Sequence, residues 1–407
     1  MTKTILAIIA ILLCTTAAWA ILGATIMGRS YSADSGLGNQ VASIWGGPQE
    51  QAPPTAVSTK VVPREVEETV NGKTRKTTVN DTIVKPLPLE QSRIKAAFDL
   101  EQRQKGLLWF ATYRVAWSGH YVFRNDSDAE DVTLKLVFPA PQAIYDDLVF
   151  LVDGQPVTVA TREGAVTANI KRKPGSTMRL SVGYRSQGLG TWHYSLGENV
   201  TQVRDFVLEM TTDFRDVDFP QGTMSPTEKQ QTKDGWLLTW KYRNLVTGSK
   251  IGMVMPEKLQ PGPLAGRISF FAPVSLLFFF FMLFVIGTLK GIELHPMHYF
   301  FLATAFFAFH LLLAYLVDHI SIHLAFVICS AVSIFLVVSY LRIVAGPRFA
   351  FVEAALAQLV YLIGFSYAFF FKGFTGLAIT IGSILSLFLV MQLTARVDWR
   401  PREEVPA

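Results

Sequence analysis

Cysteine and charge are the scarce components of this 407-residue sequence. Its two cysteines, Cys14 and Cys329, both lie inside apolar runs, so neither a disulfide framework nor a cysteine-based zinc site can be assembled from them. Charged residues make up 17 % of the chain, against about a quarter in soluble domains. The deficit is local: a few long stretches carry almost no charge and the remainder is ordinary, which separates a membrane-embedded part from a water-soluble part. Catalytic signatures are missing as well. There is no serine nucleophile elbow, no His-Glu-x-x-His, no phosphate loop and no Gly-x-Gly-x-x-Gly after a strand. The chain therefore reads as non-enzymatic, with no cofactor and no metal. The net charge of +5 is scattered among acidic residues, which points to membrane topology and not to a nucleic acid.

The apolar runs cover residues 4–28, 268–289, 299–317, 320–341, 349–371 and 374–395. Each is close to the ~20 residues a helix needs to cross the hydrocarbon core. Asp318-His319 and Lys372-Gly373 are short connections that force antiparallel helical hairpins. Basic residues are retained on the cytoplasmic side, and Lys3, Lys290, Arg342, Arg348, Arg396, Arg400 and Arg402 fall on one side, with only Arg29, Arg267 and Lys372 on the other. The expected organisation is an N-terminal anchor at 1–28, an exported β-rich region at 29–267, a five-helix transmembrane domain at 268–395 and a cytoplasmic tail at 396–407. Both termini are then cytoplasmic. Ala18-Trp19-Ala20 has the small-x-small form of a cleavage site, but the apolar stretch runs on through 21–27, which favours an uncleaved anchor.

Within the insert, residues 32–54 are rich in Ser, Gly, Gln and Pro and predict a tether. Strand patterns dominate beyond it. Asn71-Gly72, Asp153-Gly154, Pro174-Gly175 and Asp234-Gly235 each adjoin apolar or β-branched runs, as hairpin turns do. Residues 89–104 suit either a helix or a strand by periodicity. Many short strands at regular turn spacing predict an antiparallel all-β sandwich, as one module or as two near 55–160 and 161–260. The fold class is thus a multi-span helical bundle, one N-terminal plus five C-terminal helices, with an inserted all-β exported domain.

Polar residues in and beside the spans are the candidate functional groups. His295 and His298 lie three apart near Glu293, and His319 and His323 four apart beside Asp318, spacings that put two imidazoles on one helix face. The two groups sit at opposite ends of span 3, about 30 Å apart, and read as interfacial residues. Glu353 and His310 are the ionisable side chains set well inside a span, and such groups default to a functional hypothesis. Their depths differ by ~10 Å at 1.5 Å per residue, so Glu353 is expected to meet Arg348, Lys290 or a histidine. The acidic loop 125–131 begins like a calcium loop but has Asp131 and Val137 where that loop needs Gly and Glu; it reads as a solvated turn. Asn80, Asn125 and Asn199 sit in glycosylation sequons.

The stretch Glu293-Leu294-His295-Pro296-Met297-His298-Tyr299, followed by Leu311-Leu312-Leu313-Ala314-Tyr315 and Asp318-His319, resembles the bacterial inner-membrane protein family CreD. Gly46-Gly47-Pro48-Gln49 after the first span, and Leu87-Pro88-Leu89 leading into Glu101-to-Gly106 and Tyr113-to-Phe123, are similar to further family elements. That context resolves residues 89–104 as extended. Gln104-Lys105-Gly106 departs from the family's basic-x-basic form, and Ala52-Pro53-Pro54 interrupts where a strand would continue. The resemblance implies a role in cell-envelope integrity or stress, under two-component control in some members, and brings no catalytic residues. The expected partners are the lipid bilayer and other envelope proteins met through the periplasmic domain. The alternative is a transporter or channel component with His310 and Glu353 on its path.

Overall fold

The computed structural model describes residues 2–70, 73–105, 108–140, 142–197, 201–371 and 373–395. The turn at Asn71-Gly72, the sequon at Asn199 and the tail at 396–407 lie outside the described residues. The chain folds as two compact units: residues up to Ser35 with those from Leu259 onward, and residues Gly36–Lys258.

The first unit is helical. It holds α1 (Thr2–Trp45, whose last ten residues belong to the other unit), α2 (Pro261–Lys290), α3 (Pro296–Leu316), α4 (Ile322–Val344), α5 (Phe349–Phe370) and α6 (Thr375–Thr394), each long and apolar enough to cross a membrane. Half or nearly half of the most apolar window of α2 to α5 is buried, against 6 % for α1 and 11 % for α6, so α2 to α5 form the packed centre. The stripe Trp19, Leu22 and Ile26 of α1 joins that centre, at the three- and four-residue spacing that keeps side chains on one helix face. Helix α5 departs from α geometry: Phe349–Ala354 and Leu359–Gly364 are π turns.

The second unit is β-rich. Its strands are β1 (Gln49–Gln51), β2 (Thr55–Val70), β3 (Lys73–Pro86), β4 (Leu89–Lys105), β5 (Leu108–Arg124), β6 (Asp131–Val137), β7 (Tyr145–Val152), β8 (Gln155–Pro156), β9 (Ala160–Arg162), β10 (Ala165–Lys171), β11 (Thr177–Leu189), β12 (Thr191–Tyr194), β13 (Thr201–Thr212), β14 (Glu228–Gln231), β15 (Trp236–Thr247) and β16 (Ile251–Val254). Eight strands form one sheet in the order β14-β15-β13-β4-β5-β11-β7-β8, five form a second as β3-β2-β6-β10-β9, and β1-β12-β16 form a third. Pairing is antiparallel except for β1 with β12 and β13 with β4. Alternation does the sorting. Along β5, Tyr113, Val115, Trp117, Tyr121 and Phe123 point inward, and they share one core with Leu134, Leu136, Val166 and Ala168 of the five-stranded sheet.

Four expectations need correction. Residues 32–45 are not a tether but the end of α1, because Leu37, Val41 and Trp45 recur every four residues and pack on Leu108 and Phe110. That stripe outweighs the poor helix propensity of Ser and Gly. The β-rich unit accordingly runs over Gly36–Lys258 and not over 29–267. Pro174-Gly175 is not a hairpin turn: β10 pairs with β6 and β9, whereas β11 pairs with β5 and β7, so the segment passes from one sheet to another. The run after the turn at Asp153-Gly154 does not continue as one strand, as β8 ends at Pro156 and β9 starts at Ala160 in another sheet. Nor does the unit divide near residue 160, since strands from both sides of that point share sheets.

Candidate functional site

The polar residues of the helical unit occupy three levels. At one end, α2 stops at Gly291, whose φ of +64 is the left-handed cap conformation favoured by glycine. The chain then turns through Glu293 to Pro296, the first residue of α3. His295 caps α3: its Nδ1 accepts the Met297 backbone N–H at 3.3 Å, and Pro296 lacks the N–H that would be orphaned there. His298 Nδ1 lies 2.7 Å from the Tyr340 hydroxyl of α4. Lys290 pairs with Glu353 of α5, one of the three partners expected for that carboxylate. The imidazoles of His295 and His298 are 6.3 Å apart and engage different partners. Glu293 is exposed and has no partner among the described residues.

At the opposite end, Arg29 of α1 reaches Asp318 at 3.5 Å and donates to the Ala314 carbonyl at 3.0 Å, with its guanidinium 5.3 Å from the Tyr315 ring centre. This cross-helix clamp satisfies a carboxylate at the end of α3. His319 is exposed beside it, and His323 instead lies against the Phe370 ring at 5.1 Å. Among the described residues no three His, Cys, Asp or Glu side chains converge into a metal-ligand set.

Midway, His310 is fully buried. Its Nδ1 is 3.1 Å from the Phe306 carbonyl one turn earlier, and its ring meets Trp19 edge-on at 5.7 Å and Phe309 at 4.9 Å. Among the described residues its Nε2 has no partner, nor has Ser275 Oγ or Trp19 Nε1. The structure thus keeps His310 and Glu353 in separate environments and does not join them.

One polar group at this depth was not anticipated. Gln358 of α5 is fully buried and donates through Nε2 to Ser333 Oγ of α4 at 2.7 Å; Ser333 in turn donates to the Ala305 carbonyl of α3 at 3.0 Å. Three helices are tied through one amide and one hydroxyl. The signal was a lone amide in the apolar run Ala355-Leu356-Ala357-Gln358-Leu359-Val360. A search confined to ionisable side chains passes over it.

The β-rich unit has its own buried polar network. Tyr184 donates to Gln51 Oε1 at 2.6 Å, Tyr113 to the Thr191 carbonyl at 2.9 Å, and the Tyr121 and Tyr194 hydroxyls meet at 3.1 Å. Burial raises all four phenols well above their ordinary range, and pushes Tyr145 up to about 12. Gln49 Nε2 donates to Ser186 Oγ and to the Gln187 carbonyl. Gly46, at φ +124, lets the backbone pass so close to Gln187 that a Cβ would lie 2.3 Å from its carbonyl oxygen. Gly46 and Gln49 of the segment Gly46-Gly47-Pro48-Gln49 are therefore buried packing elements of the β-rich unit, with Pro48 exposed between them. The acidic loop 125–131 is a turn closed by Asn125, whose amide donates to the Ala129 and Arg172 carbonyls.

Comparison with known proteins gives one match across the chain. The family described as inner membrane protein CreD matches residues 1–400. No curated protein matches the chain in sequence. Among solved structures, a Legionella pneumophila protein provisionally described as nutrient-binding is 11 % identical, with 57 % of this chain and 75 % of that one covered and a TM-score of 0.36. An M1 zinc metallopeptidase from Deinococcus radiodurans is 15 % identical, with 42 % of each chain covered and a TM-score of 0.24. Both likenesses are too low to inform the chemistry of this chain.

Proposed function

The chain belongs to the CreD family of inner membrane proteins, and from that premise we propose that it is a non-enzymatic multi-pass protein that displays its β-rich unit on the periplasmic face and supports envelope integrity under stress. The observation that carries this reading is how the intramembrane polar groups are used. Lys290 with Glu353, His298 with Tyr340, Arg29 with Asp318 and Gln358 with Ser333 each join two helices. Contacts of this kind fix helix positions in a bilayer, where hydrophobicity does not favour one helix neighbour over lipid. The orientation rests on the excess of Lys and Arg at one set of span ends, and it puts both termini in the cytoplasm. The β-rich unit, with ion pairs such as Arg93 with Asp205 and Lys250 with Glu50 on its surface, suits an aqueous compartment and contact with other envelope proteins.

Cysteine labelling tests the topology. In a background with Cys14→Ala and Cys329→Ala, a cysteine at Lys173 or Gln230 should react with an impermeant reagent added outside, and one at Pro347 should not. The reverse pattern would remove both the orientation and the periplasmic assignment.

A second reading, a transporter or channel component, draws on the buried unpaired atoms His310 Nε2 and Gln358 Oε1. His310→Ala and Glu353→Ala separate the two readings. A scaffold keeps its envelope phenotype in both variants, whereas a transport path loses flux in both while the protein stays folded.

A further inference from the structure

Two cavities of the helical unit meet at one side chain. The first, of about 280 Å³, is an apolar groove between α1 and α2. Its α1 wall is Ile5, Ile8, Ile9 and Leu12, and its α2 wall is Leu277, Phe280, Phe281 and Phe284. Both walls follow the spacing i, i+3, i+4, i+7 of a single helix face. The second cavity, of about 420 Å³, lies where α2 hands over to α3 and is lined by Phe284, Thr288, Glu293, His295 and Tyr299 among others. Phe284 lines both. The face of α2 that forms the groove therefore continues into a polar pocket at the end of the helix.

The chemistry of that pocket is amphoteric. Glu293 presents an exposed carboxylate with no partner among the described residues. His295 uses Nδ1 as an acceptor for the Met297 N–H, which leaves Nε2–H as the donor of the neutral ring. Thr288 spends its hydroxyl proton on the Phe284 carbonyl and offers the pocket no further donor, while Lys290 is held by Glu353 and adds no competing cation. A carboxylate beside a single N–H donor complements a primary ammonium beside a phosphate.

We propose that the groove and the pocket together form a binding site for an aminophospholipid of the phosphatidylethanolamine type, with an acyl chain along α1 and α2, the ammonium at Glu293 and the phosphate at His295. The site is independent of the envelope role proposed above. A uniformly anionic lipid is disfavoured by Glu293, and a quaternary ammonium lacks the N–H groups that a carboxylate accepts.

The test uses the full chain in detergent, given an equimolar mixture of phosphatidylethanolamine, phosphatidylglycerol and phosphatidylcholine, with retained lipid read by native mass spectrometry. Phosphatidylethanolamine should be retained over phosphatidylglycerol by about fivefold, the scale of one partly exposed charge pair. Glu293→Gln should bring that ratio close to one without changing the melting temperature, and Glu293→Lys should invert it. Leu277→Trp, or Ile9→Trp on the opposite wall, should fill the groove and lower retention of all three lipids alike. Soluble phosphoethanolamine should fail to displace the bound lipid. Equal or greater retention of phosphatidylglycerol by the unaltered chain overturns the proposal, as does a ratio indifferent to both Glu293 variants. Undiminished retention in both tryptophan variants, or displacement by phosphoethanolamine, overturns the groove.

Discussion

Trp117 in the β-rich unit and Trp19 in the helical unit are both buried to within 2 % of full enclosure, yet their surroundings are assembled by different forces. Trp117 stacks on Tyr184 at 5.0 Å inside a sandwich whose outward positions are polar, so removing its ring from water drives folding. Trp19 packs edge-on against Phe306, Phe307 and His310 in a unit whose outward positions are Leu, Phe and Ile, among them Phe335 at 68 % exposure. Lipid solvates those side chains as well as a helix neighbour does, which leaves packing and cross-helix polar contacts to decide the arrangement. The comparison teaches that an identical truncation should act unequally in the two units.

Alkaline pH should separate them most. The buried phenols Tyr113, Tyr121, Tyr184 and Tyr194 ionise well above their ordinary value near 10, and Tyr145 near 12. A raised folded-state value means that their stabilisation is complete below pH 10 and is lost as pH climbs from there toward 12. Near-ultraviolet circular dichroism of the full chain should collapse across that window while its helical signal persists, because backbone bonds of spans are satisfied internally. Simultaneous loss of both signals would break the distinction.

Truncation comes next. Trp117→Ala should destabilise the β-rich unit by about 3–5 kcal/mol, and Trp19→Ala, the same truncation at an equally buried position of the helical unit, should cost clearly less in a detergent-to-denaturant titration; equal losses would argue that both cores answer to the same transfer term. Lys290→Ala, which strands the Glu353 carboxylate, should cost about 1–3 kcal/mol, with recovery in Lys290→Arg. Gln358→Leu should cost about 0.6 kcal/mol and no more than about 1.7, the mean and the maximum for side-chain hydrogen bonds between spans. Phe335→Ala, on the lipid face, should stay within about 0.5 kcal/mol.

Much of this architecture was legible from hydropathy and alternation. The six spans follow from runs of apolar residues, and residues 89–104, read as extended from their context, lie in strand β4. Where the reading failed, the deciding information was not local. The composition of residues 32–54 favours a tether, and only the partners Leu108 and Phe110, some sixty residues away, convert the stripe Leu37, Val41 and Trp45 into a helix. Pro174-Gly175 carries a turn signal that says where the chain bends but not which sheet it enters. At the candidate site, the pairing of Glu353 with Lys290 follows from depth along a helix. Arg29 with Asp318 and Gln358 with Ser333 join elements whose adjacency no spacing rule reveals.

The π turns of α5 have a consequence for helical phase. Ala350, Ala354, Gln358, Leu362 and Ser366 are all buried to within 2 %, a strict repeat of four. On a regular α-helix with 3.6 residues per turn, each four-residue step overshoots by ~40°, so the fifth member of such a stripe would sit ~160° from the first. Widened turns at Phe349–Ala354 and Leu359–Gly364 unwind the helix enough to cancel that drift. The distortion is thus what keeps Gln358 aimed at Ser333, and deleting one residue from either wide turn would rotate half of the stripe into lipid while leaving the composition of the span almost unchanged.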